Sequence, residues 1–264
     1  MAIRNTLRTS LAILFAGGLA SLAAAIAPPA RAQDRPQAGV GEDATAALAR
    51  MSKALLAKQF SFNSHAIRAY AGPNGELLHI AHDTKTVFRR PDRLYVDVTG
   101  DDGSIKMLYD GKAIVLYGVE EKKYVSIPVA GDISSALEAV EEATGTDFPL
   151  ADLLSDDPGK SVLSGVTSGG QVGRATIDGV RCRHFYFVQA ADDLELELWL
   201  EDNDRSLPRR FVVTYRSLPG RPNFIAELSA WNFSISAPDN EFEFNPPPGV
   251  TKADLRPTPS APRK

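Results

Sequence analysis

Cysteine is almost missing from this sequence: of 264 residues, only Cys182 carries a thiol. An internal disulfide is therefore excluded, and a single thiol in an exported chain is read as a small, inert hydrophobe. Positive charge is in deficit too, with 29 Lys and Arg against 33 Asp and Glu. An acidic chain is a poor partner for nucleic acid and for anionic lipid head groups. Histidine occurs four times and never with metal-ligand spacing. His79 and His82 in "HIAHD" stand three apart on a predicted strand, so they face opposite sides and cannot share a metal. There is no Gly-rich phosphate loop, no His/Glu zinc pattern and no G-x-S-x-G elbow. Cys182 and His184 share a strand face and form a nucleophile–base combination, but no third group is present to orient them. The acidic pairs Asp101-Asp102, Asp156-Asp157 and Asp192-Asp193 fall at predicted turns, where aspartate serves turn and cap geometry. No catalytic residue, metal site or cofactor is expected, and the chain reads as a non-enzyme.

Long apolar runs are lacking as well, with one exception. Arg4 and Arg8 precede an apolar stretch over residues 11–27, and Ala30-Arg31-Ala32 follows as a small-x-small site. That is the layout of a cleavable secretory signal peptide over residues 1–32, in a Gram-negative-type envelope. The run is short and rich in Ala and Gly, which disfavours a retained anchor. No cysteine follows it, which excludes lipid attachment there. Without the three arginines of this segment the net charge moves from −4 to −7. The expectation is a soluble periplasmic chain with no stable membrane insertion.

The remaining 232 residues suit one large, mainly β domain. Residues 33–41 read as a flexible Gly/Pro-rich lead-in, 42–250 as the folded domain and 251–264 as a disordered Pro-rich tail. Residues 42–59 have helical spacing, with Leu48, Met51, Leu55 and Leu56 on one stripe. Period-two patterns then run through six predicted strands. A helix capped by Asp132 and closed by Gly145 follows, then a short apolar helix in "FPLADLL" that Asp156-Asp157-Pro158-Gly159 ends. Five more strands and a short strand at residues 241–244 complete the domain. In "LELELWLE", Leu194, Leu196, Leu198 and Leu200 point one way while Glu195, Glu197, Trp199 and Glu201 point the other. One wet face and one dry face mean an antiparallel sheet. About eleven such strands exceed what three modest helices can cover unless the sheet curls around them. The fold class expected is α+β, mainly antiparallel β: a strongly curved, incomplete β-barrel with helices plugging its concave face. Its inner wall would carry Leu94, Val96, Phe185, Phe187, Leu196, Leu198, Phe211, Val213 and Trp231, the candidate lining of an apolar cavity.

One stretch breaks the pattern. "RRPDRLYVDV" places Arg89, Arg90 and Arg93 at the mouth of a strand, and "LYDGKAIVLYGVEEKKYVSIPV" follows it. With "FPLADLL", "LELWLEDNDRSLPRRFVVTY" and "LSAWNFSISAPDNEFEFNPPPGV", these pieces resemble, in order, the periplasmic lipoprotein-carrier superfamily of the localisation factor A and B proteins. The nearest likeness is to a branch of predicted periplasmic proteins of unknown function, whose marks include "DGVRCRHFYF". The resemblance covers about residues 44–250. It implies an incomplete barrel whose apolar cavity accepts acyl chains. It also implies that Arg90, just before the motif's proline, holds a lid shut by donating to its backbone carbonyls. The corresponding lid segment is residues 150–154, with Leu150, Leu153 and Leu154 as its apolar members. The plainer alternative is that these arginines pair with Asp92 and nearby surface acids. The chain departs from the carriers in its Gly/Ser-rich residues 156–179 and in lacking the receptor's lipid-anchored cysteine. Two functions follow as expectations: a binding or carrier protein for a lipid or acylated protein, or a non-enzymatic module that uses the same scaffold to bind an envelope protein partner.

Overall fold

The structure, a computed structural model of the chain, describes residues 39–72 and 74–254. The expected signal peptide, residues 33–38 of the lead-in and residues 255–264 of the tail lie outside the described residues, as does Pro73 of the turn Pro73-Asn74-Gly75. Among the described residues, no helix is long and apolar enough to cross a membrane.

A two-residue strand β1 (Gly39–Val40) leads into helix α1 (Glu42–Leu55), whose first turn carries Glu42 and Asp43 at the positive end of its dipole. The stripe Ala44, Ala47, Leu48, Met51 and Leu55 is buried to within 1%. The chain then meanders through β2 (Gln59–Ala71), β3 (Leu77–Arg89), β4 (Arg93–Gly100), β5 (Gly103–Tyr109), β6 (Ala113–Gly118) and β7 (Lys123–Pro128). Each pairs antiparallel with the next. Helix α2 (Ile133–Thr144) follows. Asp132 Oδ1 accepts the Ser135 N–H at 2.8 Å to cap it, and Gly145 ends it at φ 73°, a conformation glycine enters without strain.

A 3-10 turn (Ala151–Leu154) occupies the place of the expected short helix. Asp156-Asp157-Pro158-Gly159 was expected only to terminate it, but it starts another helix, α3 (Pro158–Leu163). The Asp157 carboxylate accepts the Lys160 N–H, and Pro158 stands in the first turn, where its missing N–H is no loss. The second meander is β8 (Val166–Ile177), β9 (Val180–Gln189), β10 (Leu194–Glu201), β11 (Pro208–Tyr215) and β12 (Asn223–Asn232). Residues 241–244 do not form the expected strand. A 3-10 turn (Asp239–Glu241) stands there, and it seats Phe242 against Val87 and Ala237 in a small cluster apart from the main core.

All strands share one open sheet in the order β1-β8-β9-β10-β11-β12-β2-β3-β4-β5-β6-β7-β13, where β13 is Thr251–Lys252. The two meanders thus lie side by side, joined where β12 pairs with β2. The sheet is α+β in class, mainly antiparallel, and curved into an incomplete barrel. Its two edges are covered by the two-residue strands β1 and β13, which pair parallel to β8 and β7. Gly39–Val40 and Thr251–Lys252, expected in the lead-in and the tail, therefore belong to the sheet; such short edge strands shield the ladder's unpaired groups. The main core joins α1, α2 and the 3-10 turn at residues 151–154 to the dry faces of both meanders.

Candidate ligand cavity

The strand registers stack the inward residues of the first meander in layers. Lowest is Phe60, Phe88, Leu94 and Tyr109, all fully buried, with the Phe60 and Phe88 rings stacked at 4.9 Å. Above it lie Phe62, Thr86, Val96 and Met107, then Ser64, Thr84, Val98 and Ile105, then Ala66 and His82, then Arg68, and finally Tyr70. Successive layers are two residues, or roughly 7 Å, apart along the strands. From the second layer upward the inward side chains include the small Ser64, Ala66, Thr84, Thr86, Val96 and Val98, and a cavity of about 370 Å³ opens between this wall and residues 146–151, Leu154 and Leu137. At its mouth His82 Nε2 lies 2.8 Å from Asp102 Oδ1, and Tyr70 and Ile105 are exposed. The cavity has an apolar floor and a polar rim.

Residues 146–154 cross the concave face as a strap, tied at both ends. At the upper end Asp147 pairs through Oδ1 with Arg68 of β2, while its Oδ2 accepts from the Tyr215 hydroxyl of β11 at 2.6 Å. Burial alone would lower the Arg68 pKa, but Asp147 and Tyr215 outweigh it and hold the guanidinium above its ordinary value. Burial and the bond to Asp147 push the Tyr215 phenol far up. At the lower end Arg90 Nη2 donates to the carbonyls of Ser155 at 2.7 Å and Leu55 at 3.2 Å, while Nη1 donates to Asp156 at 2.9 Å. The guanidinium also lies 4.9 Å over the Phe88 ring. One cation thus collects the C-terminal carbonyls of α1 and of the 3-10 turn, where a positive charge complements the helix dipole. Burial lowers its pKa despite Asp156.

On the far side of the strap, Asp147, Phe148 and Pro149 also wall a second pocket of about 180 Å³, together with Leu194, Leu196, Phe211 and Val213. Asp152 lines this pocket, and burial raises its pKa.

The candidates named above separate in position. Leu94 and Val96 line the larger cavity, and Leu196, Phe211 and Val213 the smaller one. Phe185, Phe187 and Leu198 line neither; they are fully buried core. Trp231 stacks on Phe62 at 4.6 Å and donates Nε1–H to the Pro208 carbonyl. Leu150 and Leu154 line the larger cavity, Leu153 is fully buried, and Arg90 reaches Ser155, one residue past the expected lid segment. Of its neighbours, Arg89 donates to the Ala237 carbonyl at 2.8 Å and pairs with Asp239, and Arg93 pairs with Asp92. The strap clamp Arg68–Asp147–Tyr215 and the hydroxyls Ser64, Thr84 and Thr86 were not foreseen. Only the inward parity of Ser64, Thr84 and Thr86, which continues that of Phe60 and Phe62 on β2 and of Phe88 on β3, signals them in the sequence.

Cys182 and His184 do not meet as a catalytic pair. Cys182 donates to the Val180 carbonyl at 3.5 Å, and burial raises its pKa above the ordinary thiol value. His184 stacks on Trp199 at 3.9 Å and bonds Glu197 at 2.8 Å. Neither residue lines either cavity.

Among known proteins, a family model described as "Predicted periplasmic protein (DUF2092)" matches residues 44–256. No curated protein matches the chain. Similar solved structures include an uncharacterized conserved protein from Thermus thermophilus, 9% identical, with a TM-score of 0.49, covering 80% of this chain and 99% of its own. The Mycobacterium tuberculosis lipoprotein LppX is 16% identical, with a TM-score of 0.44 and coverage of 74% and 99%. A LolA superfamily protein from Nitrosomonas europaea is 12% identical, with a TM-score of 0.36 and coverage of 75% and 97%.

Proposed function

The chain belongs to the family of predicted periplasmic proteins (DUF2092), and from that premise we propose that it is a periplasmic binding or carrier protein for a hydrophobic ligand, a lipid or the acyl chain of a lipoprotein. One observation carries the reading: a 370 Å³ cavity with an apolar floor and a polar mouth, walled on one side by a strap tied at both ends. That volume is at the low end of the ~300–1,000 Å³ of small-molecule sites, enough for part of one amphiphile. Each methylene buried contributes about 0.8 kcal/mol, while association costs roughly 4–15 kcal/mol. Binding of one chain is therefore weak and reversible, as carriage requires. Arg90 acts in this reading as the latch of the strap, since its donors hold Ser155 against α1.

Native mass spectrometry of the protein purified from a periplasmic extract tests the proposal. The expected result is a bound mass that organic extraction removes and that a hydrophobic dye then replaces. No bound mass and no dye uptake would overturn it.

A second reading, a protein-interaction module of the envelope, is favoured by exposed apolar side chains on the β2–β3 hairpin. Leu77 and Leu78 are 36% and 61% exposed, and the loop at Gly220 packs beside Leu77. In that case Leu78→Glu abolishes partner binding and leaves dye uptake intact.

A further inference from the structure

Three hydroxyls stand on the dry side of the sheet where the fold makes no use of them. Ser64 and Thr86 are 5% and 4% exposed, and with Thr84 they line the cavity. Ser64 and Thr84 face each other across β2 and β3, and Thr86 lies one layer lower. The polar contacts of the cavity wall run elsewhere: Arg68 and Tyr215 to Asp147, His82 to Asp102. Among the described residues, no hydrogen bond from another protein group reaches the three hydroxyls, and none of their oxygens is sealed in the packed core, so each opens onto the cavity. A hydroxyl that faces a cavity is free to bond to whatever enters it. Alanine or valine would keep the pleat and the shape at these positions. A plain hydrocarbon cargo gives no reason for oxygen there.

The positions match the anatomy of an acyl ester. The His82–Asp102 pair lies at the mouth, Thr84 is two residues or roughly 7 Å below His82 along β3, Phe62, Val96 and Met107 are level with Thr86, and Leu94 lies one layer beyond it. A polar head at the mouth thus sets a carbonyl among the hydroxyls and the methylenes against the floor. We propose that Ser64, Thr84 and Thr86 select acyl esters over hydrocarbons, as a set of hydroxyl donors from which an ester carbonyl oxygen takes one or two hydrogen bonds according to its depth in the cavity. This deepens the carrier reading and rests on it.

Displacement of a hydrophobic dye by a long-chain fatty acid methyl ester and by an n-alkane of equal length tests the selection. It is run on the full chain and on the triple variant Ser64→Ala, Thr84→Val, Thr86→Val. The expected result is a preference of about tenfold for the ester in the natural chain, ~1.4 kcal/mol, lost in the variant with alkane affinity unchanged. The variant's Tm is expected to stay level or rise, because no protein hydrogen bond is lost and the shape of the side chains is kept. Equal affinity for ester and alkane in the natural chain would overturn the selection and leave the cavity reading standing. A variant with lowered Tm and weaker binding of both ligands would overturn it too, by making the hydroxyls structural. If the natural chain takes up neither ligand nor dye, the carrier reading fails and the selection with it.

Discussion

Across β2, β3 and β4 the inward side chains above the lowest layers include Ser64, Ala66, Thr84, Thr86, Val96 and Val98. Across β9, β10 and β11 they are Phe185, Phe187, Leu196, Leu198, Phe211 and Val213, nearly all buried to within a few per cent. Both halves of the concave face follow the same two-residue alternation and both belong to one core cluster. One half encloses about 370 Å³ of free space and the other about 180 Å³. What separates them is side-chain volume, since protein interiors close to crystal-like density wherever large side chains can interdigitate. Hydrophobicity decides which face is dry, and size decides whether the dry face has room for a guest.

The comparison breaks most visibly in the packed half. Phe187→Ala should cost about 3–5 kcal/mol in chemical denaturation, because it leaves a new void. Val96→Ala should cost only roughly 1.5 kcal/mol, the transfer of two methyl groups, because its side chain already borders free space. Equal losses would mean that the halves are packed alike.

The strap between the halves comes next. Arg90 is 15% exposed, and Arg90→Leu removes charge-assisted bonds of a kind worth about 1.5–3 kcal/mol each. The expected outcome is faster protease cleavage within residues 146–156 and weaker retention of a hydrophobic dye. Unchanged cleavage and unchanged retention would leave Arg90 as one more surface ion pair.

Filling the open half sharpens the contrast. Ala66→Phe should make it resemble its neighbour, with a loss of about tenfold or more in dye affinity, ~1.4 kcal/mol, and a Tm that stays level or rises. Calorimetry and dye titration on the same sample check both.

The smallest effect lies in the 180 Å³ pocket. Burial raises the Asp152 pKa above 3.8 in the folded chain, so the folded state holds its proton to higher pH than the unfolded state does. Stability contributed at this position is present below the ordinary carboxylate value and is lost as pH rises through the folded one. Asp152→Asn removes that dependence. Its Tm advantage over the natural chain should open as pH is raised from about 3 to about 7; a constant offset would place the carboxylate in water.

Much of this architecture was legible beforehand because it rests on local patterning. The alternation of Leu194, Leu196, Leu198 and Leu200 with charged partners marks a strand with one dry face, and Asp132 with Gly145 brackets α2 within a residue. The Asp157-Pro158 start of α3 was misread because one dipeptide serves equally to end a turn and to cap a helix. The cavity was legible only in part. Large greasy residues attract attention, yet Phe185 and Phe187 fill space, while the free volume lies over Ala66, Thr84 and Val98.

The order of residues, by itself, determined the elements, the parity of each strand and the arginine ahead of Pro91, since these follow from backbone periodicity and from charge. Tertiary structure alone decided which halves became neighbours, where the strap fell across them and which carbonyls Arg90 reached. Those outcomes join β2 to β12 and β3 to the end of the 3-10 turn, segments far apart in the chain. Only packing in three dimensions brings such segments within reach of a hydrogen bond.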